Sequence, residues 1–461
     1  MLILLLRYMT IFDSFHNKKI AILYGREGKS SVQFFLNIGI LPRNITILDS
    51  AKQIELVENL EYLYKTFDID TQFDIVLGED YLDNLQNFDI IVKTPGISVY
   101  HHKISPYRKK ITSQAQIFFD YYQGKIIAVS GTKGKSTTST LIYETLKHAK
   151  KNVKLIGNIG KPVLDYLDSK NLPSQQDEYV VFEVSSYMLE LTKKNYMSIL
   201  LNIYSDHIDR HDFENYQQAK LNILQGSEYV FIRDEVIEKN TQYILGKDSN
   251  VDIFHRGKYT YKESFYIEKQ IFDQQIILQE HNMMNISAVV VCDRIIDSTI
   301  LKETLQKFNG LPHRMQNIVF GGITWIDDAI STTPESTIQA IQTFGEQIDT
   351  ILLGTDRGYV FDELLRVLHI YGIRNVVTFP DSGKRIAQAI KDEETPEGKN
   401  IVMIRIFETN DMEEAVKFAY KFTKNGKICL LSTASPSYSL WKNFEEKNLF
   451  QQYILSEMSN S

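Results

Sequence analysis

The sequence predicts an α/β protein of three domains built on largely parallel sheets, and three observations carry that prediction. Short apolar runs suited to strands (KIAILY, NITILD, FDIIVK, KIIAVS, YVVFEV, TILLG, NVVTF, KICLLS) alternate with longer amphipathic stretches along most of the chain, the rhythm of βαβ units. At 461 residues the chain is longer than one hydrophobic core normally supports. One of the strand-like runs, KIIAVS, feeds a glycine-rich turn and then a helical pattern, the order strand, phosphate loop, helix. No fixed-period repeat or low-complexity segment interrupts this pattern, which argues against a solenoid or a disordered chain.

Composition narrows the function. Lys and Arg number 51 against 58 Asp and Glu, and the net charge of -7 offers no general attraction for a polyanion, so nucleic acid is not an expected partner. Cys292 and Cys429 lie far apart in apolar stretches and read as small buried thiols in a reducing compartment. The opening MLILLL is broken by Arg7 and followed by Asp13, too short a run for a spanning helix or a signal peptide, so the expectation is a cytoplasmic protein with a ragged lead-in and no membrane insertion.

Domain boundaries follow from motifs, one break near Ser113 to Phe119 and another near Gly310 to Arg314. They give domains 1–118, 119–310 and 311–461. In the first, strand KIAILY enters the turn GREGKSS, and the acidic end of NITILDS follows, half of a Rossmann unit. GREG has the spacing GxxG where a dinucleotide site needs GxGxxG, so a dinucleotide is not expected. Gly25, Lys29 and Ser30 then stand at a helix N-terminus that suits an anion, although Lys29 read from charge alone is as well a solvated lysine. KTPGIS supplies a second wall through Thr94, Pro95 and Gly96.

In the second domain, Gly131, Thr132, Lys133, Gly134, Lys135, Ser136 and Thr137 form the turn after KIIAVS. Glycines there let backbone N–H groups approach phosphate oxygens, the helix N-terminus favours negative charge and Lys135 adds a point charge. Ser136 or Thr137 is a natural Mg2+ ligand beside ATP phosphates. Glu183 ends the apolar run YVVFEV, where a carboxylate is costly unless a cation or hydrogen-bond donors meet it. Asp206, His207 and Asp209 follow another strand-like run and can bind a metal, position an anion, or cap a helix. Lys220, in NYQQAKLNIL, is by itself a lysine on a helix face.

The ordered set GTKGKSTT, GNIGKPV, FEVSSYMLE, NIYSDHIDRHD, QQAKLN, EHNMMN, GLPHRMQ, DDAISTTPEST and SPSYSLWKNFEE resembles the Mur ligases that build the peptidoglycan stem peptide, over nearly the whole chain. SSYMLE, the SDHIDRH form, GLPHR and the ending SPSYSLWKNFEE resemble the glutamate-adding branch. That resemblance implies a Rossmann-like N-terminal domain for the uridine nucleotide, a central P-loop ATPase domain and a Rossmann-like C-terminal domain for the amino acid. It implies ligation of glutamate to UDP-N-acetylmuramoyl-L-alanine through an acyl phosphate, with ATP and Mg2+, by a monomer. It also implies roles: Lys135 on the phosphates; Ser136, Glu183, His207 and a carbamylated Lys220 around metal; Lys29 and Ser30 at the diphosphate; Asn158 and Ser185 along the substrate path. Asn285, Arg314 and Asp328 would surround adenine and ribose, and Thr332, Ser437, Tyr438 and Phe444 the glutamate.

Three departures bear on the amino acid. Arg357 stands in GTDRG where the family carries lysine, Ile330 replaces a loop lysine, and TSQAQIFF replaces an acidic segment. A guanidinium grips a carboxylate at two points where an ammonium is a point charge, so D- and L-glutamate both stay open at the level of sequence. Two other readings stand beside this one. A Mur-like amidating subunit is disfavoured by the intact GREGKSS and KTPGIS segments and by the lack of a zinc-type cysteine group. A P-loop NTPase module leaves the TTPEST and SPSYS segments without a purpose.

Overall fold

The structure, a computed structural model, describes residues 11–50, 54–67, 73–157, 161–167, 177–191, 196–203, 213–233, 236, 250–254, 295–308, 310–331, 333–354, 361–379, 382–393, 404–434 and 449–460. They form three sheets. The chain divides into two compact units, one holding the first two sheets and the other, from Asn309 onward, the third.

The first sheet contains β1 (Ile20–Leu23), β2 (Ile45–Asp49), β3 (Asp74–Leu77), β4 (Ile90–Lys93) and β5 (Ile111–Ser113), in the order β3-β2-β1-β4-β5. All of its pairs are parallel. Helices α1 (Gly28–Asn37), α2 (Ile54–Phe67) and α3 (Gln114–Tyr121) accompany it. β1 is buried along its length, as expected of an apolar central strand covered on both faces. Ser113 starts α3 by accepting from Gln116 N at 3.1 Å. The expected boundary between 118 and 119 falls inside this helix. Phe119 stacks on Phe182 of the second sheet with ring centroids 5.1 Å apart, so the two sheets share one apolar core.

The second sheet contains β6 (Lys125–Ser130), β7 (Val153–Gly157), β8 (Tyr179–Glu183), β9 (Met197–Leu200), β10 (Tyr229–Arg233) and β11 (Asn250–Phe254), in the order β11-β10-β9-β6-β8-β7 and parallel throughout. Helices α4 (Lys135–His148), α5 (Phe213–Leu221) and α6 (Ser298–Lys307) belong to it, and His148 of α4 meets Thr304 of α6 at 3.0 Å.

The second unit is mixed. β12 (Gln316–Phe320) pairs antiparallel with β13 (Ile323–Asp327), while β14 (Ile348–Leu353), β15 (Asn375–Thr378), β16 (Arg405–Glu408) and β17 (Ile428–Leu431) extend a parallel sheet in the order β12-β13-β17-β14-β15-β16. Its helices are α7 (Pro334–Phe344), α8 (Asp362–Ile370), α9 (Ser382–Glu393), α10 (Met412–Phe422) and α11 (Leu449–Asn460). Thr333 and Pro334 start α7, the threonine as cap and the proline at the first helical position, where no N–H is needed. Cys429 is a buried free thiol in this core, whereas Cys292 lies outside the described residues. Among the described residues no helix is long and apolar enough to cross a membrane.

Candidate active site

The turn between β6 and α4 is built mainly from backbone. Gly134, at φ 86°, caps α4, and the first turn of that helix begins at Lys135. Asn202, directly after β9, fastens the turn from the side. Its Oδ1 accepts from Lys133 N at 2.9 Å, its Nδ2 donates to Lys133 O at 3.1 Å, and its own carbonyl accepts from Thr132 N at 3.0 Å. Thr132 Oγ1 meets Tyr216 OH of α5 at 2.9 Å. Lys135 Nζ folds back over the turn, donating to Gly131 O at 2.9 Å and Thr132 O at 3.0 Å. A loop held this way presents N–H groups at a helix N-terminus, the arrangement that receives phosphate.

Glu183 reaches the same place from β8. It is 1% exposed, and its Oε1 accepts from Ser136 Oγ at 3.2 Å. Its Oε2 is buried without a hydrogen-bond partner among the described residues, and so is Thr137 Oγ1. A buried carboxylate oxygen left so is costly unless a cation meets it. Among the described residues no group of three or more acidic, His or Cys side chains could hold a metal. Magnesium, however, takes one or two carboxylates plus waters and phosphates, so Ser136 and Glu183 fit it. Gly157, paired with Glu183 across the strands, lets the two strand ends approach: at φ +115°, a methyl added to it would overlap the Glu183 backbone carbonyl.

Lys220 is more than a surface lysine. It is 2% exposed, its Nζ donates to Gly131 O at 2.9 Å and lies 4.7 Å from the Tyr216 ring centre. Ser185 caps the short helical turn Ser186–Leu189 by accepting from Met188 N, next to the strand end that carries Glu183.

In the first sheet the chain leaves β1 toward β2 on one side, and β4 lies on the other, so the carboxyl ends of β1 and β4 flank a topological switch point. Both predicted walls are there. Gly25 N donates to Asp49 Oδ2 at 3.1 Å, and a methyl added to Gly25 would come within 3.0 Å of Thr94 Oγ1, so the turns after β1 and β4 touch. Pro95 and Gly96 continue the second turn, closed by Ile97 N donating to Thr94 O at 3.2 Å. Lys29 Nζ sits 3.9 Å over the Tyr62 ring, and Ser30 Oγ donates to Asp165 Oδ1 at 2.6 Å, so Ser30 links α1 to the second sheet's side of this unit.

In the second unit the carboxyl ends of β13, β14 and β17 meet. Asp328 Oδ2 accepts from Ser331 Oγ and, at 3.3 Å, from Ser432 Oγ. Burial pushes its carboxyl up to about 7, with Ser331 and then Arg314 pulling the other way. Beside it, Asp327 Oδ2 lies 2.7 Å from His313 Nδ1 and accepts from Gln451 Nε2 at 2.8 Å. Gly354 N donates to Thr433 O at 3.0 Å.

The structure thus gathers Gly131 to Thr137, Glu183 and Lys220 at one sheet end, Gly25 and Thr94 to Gly96 at another, and Arg314 with Asp328 at a third. Asn158, Asp206, His207, Asp209, Asn285, Thr332, Arg357, Ser437, Tyr438 and Phe444 lie outside the described residues. Asn202, Tyr216, Gly157 and Asp327 were not anticipated. Asn202 carried a readable signal, a polar residue ending the apolar run MSILL.

Comparison with known proteins gives the family and the fold. The family model of the Mur ligase middle domain matches residues 129–292. A UDP-N-acetylmuramoylalanine--D-glutamate ligase of Clostridium tetani is 30% identical over 461 aligned positions, covering 95% of this chain and 97% of that protein. The ligase of the same name from Acetivibrio thermocellus is 28% identical, covering 95% of this chain and 97% of its own length. Among solved structures, a UDP-N-acetylmuramate-alanine ligase of Thermotoga maritima superposes with a TM-score of 0.55 at 19% identity, covering 96% of this chain and 100% of that one. A MurF ligase of the same organism in complex with ADP gives 0.52 at 17%, covering 95% of each chain. The two solved structures show the shared three-domain fold.

Proposed function

This chain belongs to the Mur ligase family, and on that premise we propose that it joins D-glutamate to UDP-N-acetylmuramoyl-L-alanine at the expense of ATP, in peptidoglycan synthesis. The observation that carries the reading is the meeting of the 131–137 turn with the half-satisfied Glu183 carboxylate, a place built for a nucleotide triphosphate with a cation. The relatives' names supply the substrates. We assign 1–118 to the nucleotide-linked peptide, 119–310 to ATP and 311–461 to glutamate. Substrates of this kind place the enzyme in the cytoplasm, and we take it to act as a monomer.

In this scheme the backbone N–H groups of the turn receive the phosphates, and Lys135 exchanges the Gly131 and Thr132 carbonyls for phosphate oxygens. Mg2+ held by Ser136 and Glu183, with His207, would supply positive charge among the phosphates. The alanyl carboxylate attacks the γ-phosphorus and ADP leaves. The neutral amine of glutamate then adds to the acyl carbon, loses its proton, and phosphate departs to leave the amide. Holding the two carboxylate-bearing substrates in line is the main task of the protein.

The remaining assignments belong to the same proposal. Gly25, Lys29, Thr94, Pro95 and Gly96 line the uridine nucleotide, with Ser30 bracing them through Asp165. Asn158 and Ser185 line the path of the peptide. Asn285, Arg314 and Asp328 surround adenine and ribose, and Thr332, Arg357, Ser437, Tyr438 and Phe444 hold glutamate. Lys220 carries a carbamate in the working enzyme. Lys220 Nζ is buried beside the phosphate turn, and carbamylation requires its neutral amine to react with CO2; the carbamate would keep one N–H for Gly131 O and add an anionic pair of oxygens.

The test is phosphate release by the purified protein with Mg-ATP, UDP-N-acetylmuramoyl-L-alanine and D-glutamate, L-glutamate or no amino acid, with Lys135→Ala as control. Release that needs D-glutamate and Lys135 supports the proposal. Preference for L-glutamate refutes the stereochemistry alone, and release without an amino acid refutes the ligase.

A further inference from the structure

Two motifs have so far received only part of a role, KTPGIS after β4 and SSYMLE after β8. The structure joins them through one buried carboxylate. Lys93, the last residue of β4, is 1% exposed, and its Nζ lies 3.0 Å from Glu190 Oε2 while donating to Tyr187 O at 3.2 Å. Glu190, whose side chain is fully buried, also accepts from Ser98 Oγ at 2.8 Å and from Val99 N at 3.2 Å. An ammonium, a hydroxyl and a backbone N–H from the first sheet's turn thus converge on one residue of the second sheet's loop.

Stability alone does not explain such a pair. A buried ion pair can often be replaced by apolar residues of similar volume without loss, because desolvation cancels most of the attraction. Its distinctive contribution is direction, since three donors around two oxygens permit one relative placement. The shared apolar core packs the two sheets together, but at this point the packing is incomplete: a small cavity whose lining includes Glu27, Lys93, Pro95, Val163, Tyr187 and Met188 adjoins Lys93. On one side of the pair lies the turn Thr94 to Gly96, and on the other the chain runs back through Ser185 to Glu183.

We propose that Lys93 and Glu190 are positioning residues that fix the first sheet's substrate turn against the strand end bearing Glu183, and so set the alignment of the acyl acceptor with the phosphate site. The rate effect rests on the ligase reading above; the mechanical linkage does not. A displacement of about 1 Å between reacting groups costs on the order of 100-fold in rate, so an inter-sheet register defined by a buried carboxylate matters to turnover.

The experiment compares the full-length protein with Glu190→Gln, Lys93→Met and the double variant. Amide hydrogen exchange is followed in peptides spanning 94–99 and 125–130, together with melting temperature, ADP affinity, kcat and the KM for UDP-N-acetylmuramoyl-L-alanine. Each single variant should speed exchange in 94–99 by about tenfold or more while leaving 125–130 unchanged, and should lower kcat by about tenfold or more with ADP affinity within about twofold. The double variant removes both charges of the pair, and Glu27 loses its neighbouring cation in it and in Lys93→Met alike, so its melting temperature should rise above that of Lys93→Met, toward the wild type, while kcat stays low. Recovery of kcat along with melting temperature would reduce the pair to a stabilising contact and overturn the proposal. Unchanged exchange in 94–99 would overturn it too, even if the wild-type protein showed no ligase activity, an outcome that would separately refute the proposed function.

Discussion

At the carboxyl ends of β6, β8 and β9, the phosphate turn is a run of backbone groups to which side chains bond: Asn202 to Lys133, and Lys135 and Lys220 to Gly131 O. At the carboxyl ends of β13, β14 and β17, the groups are side chains bonded to one another: Asp328 to Ser331 and Ser432, Thr337 to Ser432 at 2.8 Å, and Asp327 to His313 and Gln451. The first arrangement suits a ligand whose charge is spread over many oxygens, because a run of N–H groups adapts to it. The second fixes a few acceptors in a buried network whose members depend on each other. The two ends should therefore fail differently when a residue is changed.

The largest effect is expected at the phosphate turn, from Lys135. Lys135→Ala should lower phosphate release by about 100- to 1,000-fold, the range for removing a preorganised electrostatic group, while the melting temperature stays nearly unchanged, since Lys135 Nζ donates to the Gly131 and Thr132 carbonyls of its own turn. A large drop in melting temperature would show that the lysine is part of the scaffold and would erase the contrast between the two ends.

Gly157→Ala should come next, destabilising by about 2–4 kcal/mol because the methyl would overlap Glu183 O and the backbone there lies in a region that side-chain-bearing residues avoid. Thermal melting measures it, and a wild-type melting temperature would mean that the two strand ends are farther apart than described. Asn202→Ala should cost about 1–2 kcal/mol, from Lys133 N–H and C=O losing their partners, and should weaken ADP binding by about tenfold in titration calorimetry. Weaker binding with no change in melting would mark Asn202 as a ligand contact.

The same contrast explains what the sequence made legible. The phosphate turn is seven consecutive residues between a strand and a helix, so its chemistry could be read from order and spacing. Glu183 closes an apolar run, a pattern that equally fits a strand-end glutamate reaching solvent, and it and Thr94 to Gly96 are singled out through the family's motifs. Asn202 and Tyr216 act on the turn from 69 and 84 positions away, and Ser432 reaches Asp328 across 104. Such partners are brought together by strand order, and strand order is not written in any local pattern. The antiparallel β12–β13 hairpin was likewise absorbed into the expectation of parallel sheets, since its FGG turn at Phe320 to Gly322 sits within a generally strand-rich region. Lys93 and Glu190 were within quoted motifs but each looked ordinary without the other.

The side-chain network is tested through the pH dependence of Asp328. Its carboxyl is raised to about 7 in the folded protein from an ordinary value of 3.8, so between those values the folded state holds a proton that the unfolded state has released. Protons bound to the folded state in excess make stability fall as pH rises. The difference in stability between wild type and Asp328→Asn should therefore decline from about pH 4 to about pH 7 and level off above that. Below about pH 4 both states of the wild type hold the proton and the folded carboxyl resembles the amide in size and charge, so the two proteins should melt at nearly the same temperature there; by pH 8 the variant should be the more stable. A profile of the opposite sign, with the wild type losing stability as pH falls, would mean that Arg314 outweighs burial and holds Asp328 as an anion. The third sheet's end would then be a charged site like the one beside the phosphate turn, and the distinction between the two ends would reduce to which atoms supply the charge.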